Sequence, residues 1–184
     1  MSATRAARQW TYADYARLPD DGNRYEVIDG EVYVTPAPGT RHQRVAVRLF
    51  MQLYEYVKAN GLGEMIWDID LLFQSGQYFR PDLLFVPREA GSELKERGMY
   101  GTPGLVVEVL SPGSRRLDRV KKATRYRDFG VTEYWVVDPV NQCIERHRLS
   151  DAAPPLLCRE TLLWQPYADA PALELAVQAI FPAA

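Results

Sequence analysis

Hydrophobic and polar residues alternate in short runs along much of the chain, and two longer stretches repeat with a helical period. The first clear alternation covers 25–28 and 31–34, on either side of Asp29-Gly30. Asp-Gly between two alternating runs predicts a β-hairpin, because both residues tolerate the backbone conformation that a tight turn requires. A short helix over 12–17 is predicted before the hairpin.

Two longer helices are predicted from the spacing of apolar residues. From 41 to 58 these residues recur at helical intervals, and Gly61 ends the segment. A second helix is predicted from Ser114 to Phe129, closed by Gly130. Its buried stripe is assigned to Leu117, Val120, Ala123 and Tyr126.

Short runs that are apolar on both faces predict strands covered on both sides of a sheet. Such runs occupy 82–86, 105–110 and 134–137. A single strand is predicted over 65–73, and 143–148 is predicted to be an edge strand. The order hairpin, helix, strands, helix and strand predicts an α/β (α+β) fold, with helices flanking a mixed central sheet.

The composition is typical of a globular protein. The chain has 184 residues, of which 47% are hydrophobic and 25% charged, enough for one apolar core. We expect a single domain over 1–184, with its core at about 24–148 and a short N-terminal helix and a C-terminal extension packed on it. No run is apolar enough to cross a membrane, no secretory signal is evident in the first eighteen residues, and Cys143 and Cys158 show no metal-binding spacing. A cytoplasmic location is therefore expected.

The charge balance gives no overall support for nucleic-acid binding. Net charge is −2, whereas proteins that coat nucleic acid are usually basic. Positive residues are nevertheless concentrated between 115 and 127, where Asp118 is the one acid. A charge run of this kind is most often a solvated helix face. If it instead contacts phosphates, the binding residues are Arg115, Arg116, Arg119, Lys121 and Arg125.

Two carboxylates carry most of the chemical information in the sequence. Asp82 and Glu108 are each the single charge in a run that otherwise predicts a buried strand. Burying an isolated carboxylate costs several kcal/mol unless it is paired or binds a cation. Each acid taken alone fits an exposed strand end or an arginine pair. Together, on adjacent strands, they predict a site for Mg²⁺ or Mn²⁺, which prefer oxygen ligands.

Lys122 lies beside the predicted apolar stripe of the second helix, where its ammonium can lean toward the sheet. On spacing alone, an ion pair with Asp118 four residues earlier is the more common role. Tyr126 follows at the same interval. His42 shares the inward face of the first long helix, as a core histidine or as a phosphate contact. Glu26 is either a strand-end ion pair or a further acid of the site.

Several ordered motifs resemble the Uma-type putative restriction endonuclease family, a branch of the PD-(D/E)XK nuclease superfamily. The resemblance spans about 24–146, most of the chain. The matching segments are Tyr25-Glu-Val-Ile-Asp-Gly-Glu31, His42, Pro81-Asp82, Val107-Glu-Val-Leu-Ser-Pro112, Asp118-x-x-x-Lys122 and Gly130-Val-Thr-Glu-Tyr-Trp-Val-Val-Asp-Pro139.

This resemblance implies a restriction-endonuclease-like core with a metal bound at one end of a mixed sheet. Pro81-Asp82 is similar to the PD motif, and Glu108 is similar to the acid of (D/E)XK. The sequence departs from the superfamily pattern after that acid, because Val109-Leu110 stand where X-Lys is usual. The resemblance implies that the lysine has moved to the following helix, at Lys122.

The function predicted from these residues is metal-dependent hydrolysis of a phosphodiester, with Mg or Mn as cofactor and nucleic acid, DNA by expectation, as partner. The catalytic set is Asp82, Glu108 and Lys122, with Asp82 and Glu108 on the metal. No residue indicates base readout. Alternatives are a non-cleaving module that binds nucleic acid or another partner, and a structural protein in which all three residues are salt-bridged. A homodimer would suit cleavage of two strands.

Overall fold

The computed structural model describes residues 10, 12–15, 17, 21–73, 76–90, 93–96, 98–115, 117–150 and 153–182. Its helices are α1 (Tyr12–Tyr15), α2 (Thr40–Ala59), α3 (Ala123–Asp128) and α4 (Val177–Ile180), and a π-helical segment (Leu117–Lys122) runs directly into α3. In this part of the chain, no helix is long and apolar enough to span a membrane.

The first of two large sheets contains the predicted hairpin. In spatial order its strands are β2 (Glu31–Thr35), β1 (Arg24–Ile28), β5 (Tyr78–Phe79), β4 (Leu71–Leu72), β8 (Gly98–Tyr100) and β7 (Glu93–Lys95). The turn between β1 and β2 has positive φ at Asp29 (57°) and Gly30 (74°), the conformation that Asp-Gly favours. The hairpin prediction is therefore confirmed.

The second sheet carries the buried strands. In spatial order they are β12 (Leu156–Cys158), β11 (Cys143–Arg148), β10 (Glu133–Asp138), β9 (Leu105–Val109), β6 (Leu83–Pro87) and β3 (Gly63–Trp67). β9 and β10 run parallel, joined by the π-helical segment and α3, and the remaining neighbours are antiparallel. A mixed sheet flanked by helices is the predicted fold class. A separate hairpin follows, from β13 (Thr161–Trp164) and β14 (Leu173–Ala176).

The second sheet separates two apolar layers. Alternate side chains of β9 point to opposite faces, as expected for a strand. Val107 belongs to the same apolar cluster as Leu49 of α2 and Trp164 of β13, whereas Val106 belongs to the cluster that contains Tyr126 of α3 and residues of the first sheet. Glu108 lies two residues after Val106 and therefore on the same face of β9, so its carboxylate faces the layer between the two sheets and α3. The assignment of 1–184 to one domain stays a prediction.

Two strand predictions are wrong. The single strand predicted over 65–73 is divided between the sheets, because β3 ends at Trp67 and β4 begins at Leu71. Asp68 between them has a φ of 50°, a left-handed conformation that redirects the chain. The predicted edge strand 143–148 is β11, which is covered by β12 through the pairing of Ile144 with Cys158.

The buried stripe predicted for the second helix is also wrong at Val120, which is 61% exposed. The stripe assumed an α-helical repeat, but the chain is π-helical from Leu117 to Lys122. The wider i→i+5 turn changes which residues share a face. Asp118 and Lys122 are the buried residues of this segment.

Gly63 provides a test of the pairing between β3 and β6. Its φ is 139°, and an added Cβ would lie 2.0 Å from the carbonyl oxygen of Val86. Gly63→Ala should therefore lower the free energy of unfolding by about 3 kcal/mol, measured by urea denaturation. Gly113→Ala, where nothing lies within 4 Å of the added Cβ, should stay within about 0.5 kcal/mol of the native chain. Equal losses would contradict this account of Gly63.

Candidate active site

Asp82 and Glu108 come together at one end of the second sheet. β6 and β9 pair with Leu83 opposite Val107, so Asp82, one residue before β6, continues this register opposite Glu108. The Oδ2 atom of Asp82 accepts a hydrogen bond of 2.8 Å from the backbone N–H of Val109. Both carboxylates are buried. The juxtaposition expected from two buried strands is therefore present.

Lys122 is buried among three carboxylates that come from three different elements. Its Nζ lies 2.8 Å from Oε2 of Glu26, 3.0 Å from Oε1 of Glu108 and 3.2 Å from Oδ1 of Asp118. The Asp118 contact is the i,i+4 ion pair expected from spacing. Lys122 thus contacts both Asp118 and Glu108, and its ammonium is shared by three carboxylates.

The burial and close spacing of these charges shift the pKa values of Glu108 and Lys122. Burial raises the pKa of Glu108 well above its usual value; Lys122 opposes the shift, and the neighbouring acids Asp118, Glu26 and Asp82 add to it. Burial lowers the pKa of Lys122, but Glu108, Glu26 and Asp118 outweigh it and hold that pKa well above its ordinary value. Lys122 is therefore charged at neutral pH, and Glu108 keeps a proton to a higher pH than a free glutamate.

The other candidates, Glu26, His42 and Tyr126, also lie at the site. The hydroxyl of Tyr126 donates to Oε1 of Glu108 at 3.0 Å, and its own pKa is raised, first by burial and then by Glu108, so it remains a donor. Nε2 of His42 lies 3.0 Å from Oδ2 of Asp82. Within the described residues, the buried Nδ1 of His42 has no hydrogen-bond partner. These positions agree with the sequence analysis, while the roles stay predictions.

A second group of charges, which sequence reasoning missed, surrounds Asp82. Nη1 of Arg24 donates to Oδ1 of Asp82 at 2.7 Å, and Nη2 of the same guanidinium donates to Oδ1 of Asp68 at 2.8 Å. Burial raises the pKa of Asp82, but His42 and Arg24 outweigh it and leave the pKa below its ordinary value. A signal for Arg24 existed in the sequence, since it lies two residues before Glu26 and therefore on the same face of β1.

These side chains enclose a small cleft between the two sheets and the π-helical segment. Its volume is about 30 Å³, which accommodates a water molecule or an ion but not a nucleotide. A ligand larger than this would therefore have to remain at the mouth of the cleft. The mouth is lined in part by Thr35, Pro36, Pro38, Arg80, Ser111 and Ser114.

The chemistry of the donors fits a hard divalent cation. In the described part of the chain, no three His, Cys, Asp or Glu side chains are arranged as a metal centre, and Arg24 and Lys122 contact Asp82 and Glu108. Mg²⁺, however, is commonly held by one or two carboxylates with water and phosphate, which Asp82 and Glu108 can supply. Oδ1 of Asp118 is buried, and its partner in the described structure is the ammonium of Lys122 at 3.2 Å, which Glu26 and Glu108 share. The acids therefore exceed the cations that neutralise them.

Most positive residues of the basic run (115–127) form ion pairs with acids in the described structure. Arg115 contacts Asp138, and Arg119 contacts both Asp138 and Glu145. Lys121 and Arg125 pair with acids of the β1–β2 hairpin and of α3, namely Asp29, Glu31 and Asp128. Arg116 lies outside the described residues. Binding of phosphates by this run, still a prediction, would require these arginines and Lys121 to exchange partners.

Comparison with known proteins defines the class of this fold and then the family. A crystal structure described as a putative nuclease belonging to DUF820, from Anabaena variabilis ATCC 29413, superposes with a TM-score of 0.75. The match covers 94% of this chain and 97% of the other at 20% sequence identity, so it shows that the two chains share a fold. The family model Uma2, "Putative restriction endonuclease", matches residues 12–178. The chain belongs to this family, which confirms the resemblance. No curated protein sequence matches this chain.

The buried lysine gives a prediction about stability. Lys122→Met should lower the free energy of unfolding at neutral pH by about 3–5 kcal/mol, because it leaves buried carboxylates without their cation. The loss should shrink on acidification. A carboxyl whose pKa is higher in the folded state than in the unfolded state stabilises the fold fully below its unfolded-state pKa. It loses that contribution as the pH rises through its folded-state pKa.

The matched control is Lys121→Met at the next position. Lys121 is 29% exposed and pairs with Glu31, which is 67% exposed, and such surface pairs contribute little. Urea denaturation at several pH values should therefore show a large, pH-dependent loss for Lys122→Met alone. Similar losses for both variants would contradict the burial argument.

Proposed function

We propose that this protein is a metal-dependent endonuclease that hydrolyses phosphodiester bonds, with DNA as its expected substrate. The observation that carries the proposal is the convergence of Asp82, Glu108 and Lys122 at one end of the central sheet. Two carboxylates on neighbouring strands next to a buried ammonium are suited to phosphate chemistry. Membership of a family of putative restriction endonucleases supports the same reaction class.

Asp82 and Glu108 would hold Mg²⁺ or Mn²⁺. When bound, such an ion lowers the pKa of a water nucleophile and stabilises the charge that develops on the phosphate. Because burial and the neighbouring acids raise the pKa of Glu108, binding of a cation by this carboxylate would compete with protons and weaken as the pH falls.

The surrounding side chains orient these groups. Tyr126 holds Oε1 of Glu108, and the Val109 amide and His42 hold Oδ2 of Asp82. Lys122, kept charged by its three acids, supplies a fixed positive charge for a phosphate oxygen or for the attacking water. The basic run would add sequence-independent contacts to flanking phosphates.

A non-cleaving binding module with this fold is the second candidate. The observation that favours it is the set of internal ion pairs, in which Lys122 contacts Glu108 and Arg24 contacts Asp82. A module of this kind would bind nucleic acid or another partner without hydrolysing it. Cleavage and metal binding therefore have to be measured separately.

Cleavage of supercoiled plasmid tests the proposed reaction. The native chain should nick plasmid with Mg²⁺ or Mn²⁺ and not with EDTA, and Glu108→Gln should reduce the rate at least about 100-fold. Glu64→Gln, which removes the same charge from an exposed position on β3, should leave the rate unchanged. Absence of cleavage with both metals would favour the non-cleaving module.

Thermal melting tests the metal site without a need for turnover. Mn²⁺ at about a hundredfold excess over its Kd should raise the Tm of the native chain by about 5–10 °C. Asp82→Asn and Glu108→Gln should respond much less, because each removes a proposed ligand. An equal response in all three proteins would place the ion elsewhere.

A further inference from the structure

Arg80 is fixed at the edge of the cleft by the chain itself. It lies two residues before Asp82, and its backbone N–H donates to Oε1 of Glu26 at 2.9 Å. Its side chain lines the same cleft as Glu108 and Lys122. The main chain of Arg80 is therefore tied to one of the acids that hold the buried ammonium.

The guanidinium of Arg80 is held along one edge and free along another. Nε and Nη2 donate to Oδ1 and Oδ2 of Asp68 at 3.1 and 3.2 Å. Nη1 makes no hydrogen bond to any residue that the structure describes, and the side chain is 31% exposed. A guanidinium gripped side-on presents its remaining N–H groups in a fixed direction, a geometry that suits a phosphate oxygen.

Asp68 is itself held in an unusual backbone conformation. Its φ is 50°, which costs about 1–3 kcal/mol for a residue other than glycine. Its backbone N–H donates to the carbonyl of Asp82 at 3.1 Å, and its carboxylate also accepts from Arg24. The carboxylate of Asp68 thus contacts two guanidinium groups, of which Arg24 is also paired with Asp82.

Stability alone does not account for this arrangement. Asp68 and Arg80 are 34% and 31% exposed, and ion pairs at such positions contribute little to folding. Strained backbone that persists next to a cleft is commonly associated with function. An oriented cation with a free edge, at the mouth of a cleft too small for a nucleotide, is suited to hold the substrate outside it.

We infer that Arg80 binds a phosphate of the nucleic-acid strand at the mouth of the cleft, and that Asp68 is the positioning residue that orients it. The inference rests on the proposed nucleic-acid substrate and names a contact beyond the acids and Lys122. Because a phosphate contact is independent of base sequence, it should contribute equally to strands of any sequence.

Binding without turnover tests this contact. Fluorescence anisotropy in EDTA would measure the affinity of the full chain for a labelled mixed-sequence DNA duplex and for one of its single strands, over a series of salt concentrations. Arg80→Ala should weaken binding about tenfold or more. It should also reduce the slope of log K against log salt by about 0.9 for the duplex or 0.7 for the single strand.

Arg88→Ala is the matched control, because Arg88 follows the opposite end of β6 and is likewise a partly exposed arginine paired with acids, Glu89 and Asp169. It should change neither affinity nor slope. Equal effects of the two substitutions would overturn the inference, as would absence of salt-dependent binding by the native chain to either probe. If Arg80→Ala does not fold, Arg80→Lys replaces it, since lysine keeps the charge without the side-on grip and should also bind more weakly.

Asp68→Asn separates positioning from simple electrostatics by the sign of its effect. Removing a negative charge near a phosphate site should tighten binding if charge alone matters. If Asp68 orients Arg80, the substitution should weaken binding instead, and tighter binding would overturn the positioning role. A difference between Arg80→Ala and Arg88→Ala without any plasmid cleavage would support this contact while rejecting the nuclease reaction. Plasmid cleavage together with equal binding by Arg80→Ala and Arg88→Ala would support the nuclease reaction and reject the Arg80 contact.

Discussion

The buried ammonium of Lys122 joins three separate parts of the chain at one point. Its three carboxylates come from β1 of the first sheet, β9 of the second sheet and the π-helical segment. Buried ions are costly unless each is paired, so the relative positions of both sheets and the crossover helix are constrained by this one contact. The π-helical turn places Asp118 and Lys122 together on the inward face.

The two halves of the cleft have opposite electrostatic character. Asp82 is surrounded by donors and cations, and its pKa is depressed despite burial. Glu108 lies among further acids, with one shared lysine, and its pKa is raised by burial and by those acids. Neighbouring carboxyl groups whose pKa values are driven apart are typical of sites that bind cations or transfer protons. The surplus of acids gives a physical reason for expecting a divalent ion here.

The arginine side of the cleft complements the acid side. Arg24 joins Asp82 to Asp68, and Asp68 in turn holds Arg80. A polyanion that reached the cleft would meet these guanidinium groups before it met the buried carboxylates. The run of positive residues between 115 and 127 contributes less than its sequence indicates, because Arg115, Arg119, Lys121 and Arg125 are paired with acids.

The sequence by itself determined the hairpin, the long helix α2 and the buried strands β6, β9 and β10, and it marked the chemically unusual residues. Asp29-Gly30 predicted its turn, and Asp82 and Glu108 were recognisable because charge in an apolar strand is costly enough to require a cause. Lys122 was predicted only to lie beside the apolar stripe of the second helix. That stripe was misassigned at Val120, since hydrophobic periodicity does not reveal a π-helical turn.

Tertiary structure alone decided which charges meet. Arg24 contacts Asp68 and Asp82 across 44 and 58 residues of sequence. The division of 65–73 between two sheets likewise depends on strand pairing with distant segments. Local patterns report which side of an element is buried, whereas the partners of a buried charge are set by how sheets pack, and that requires the whole fold.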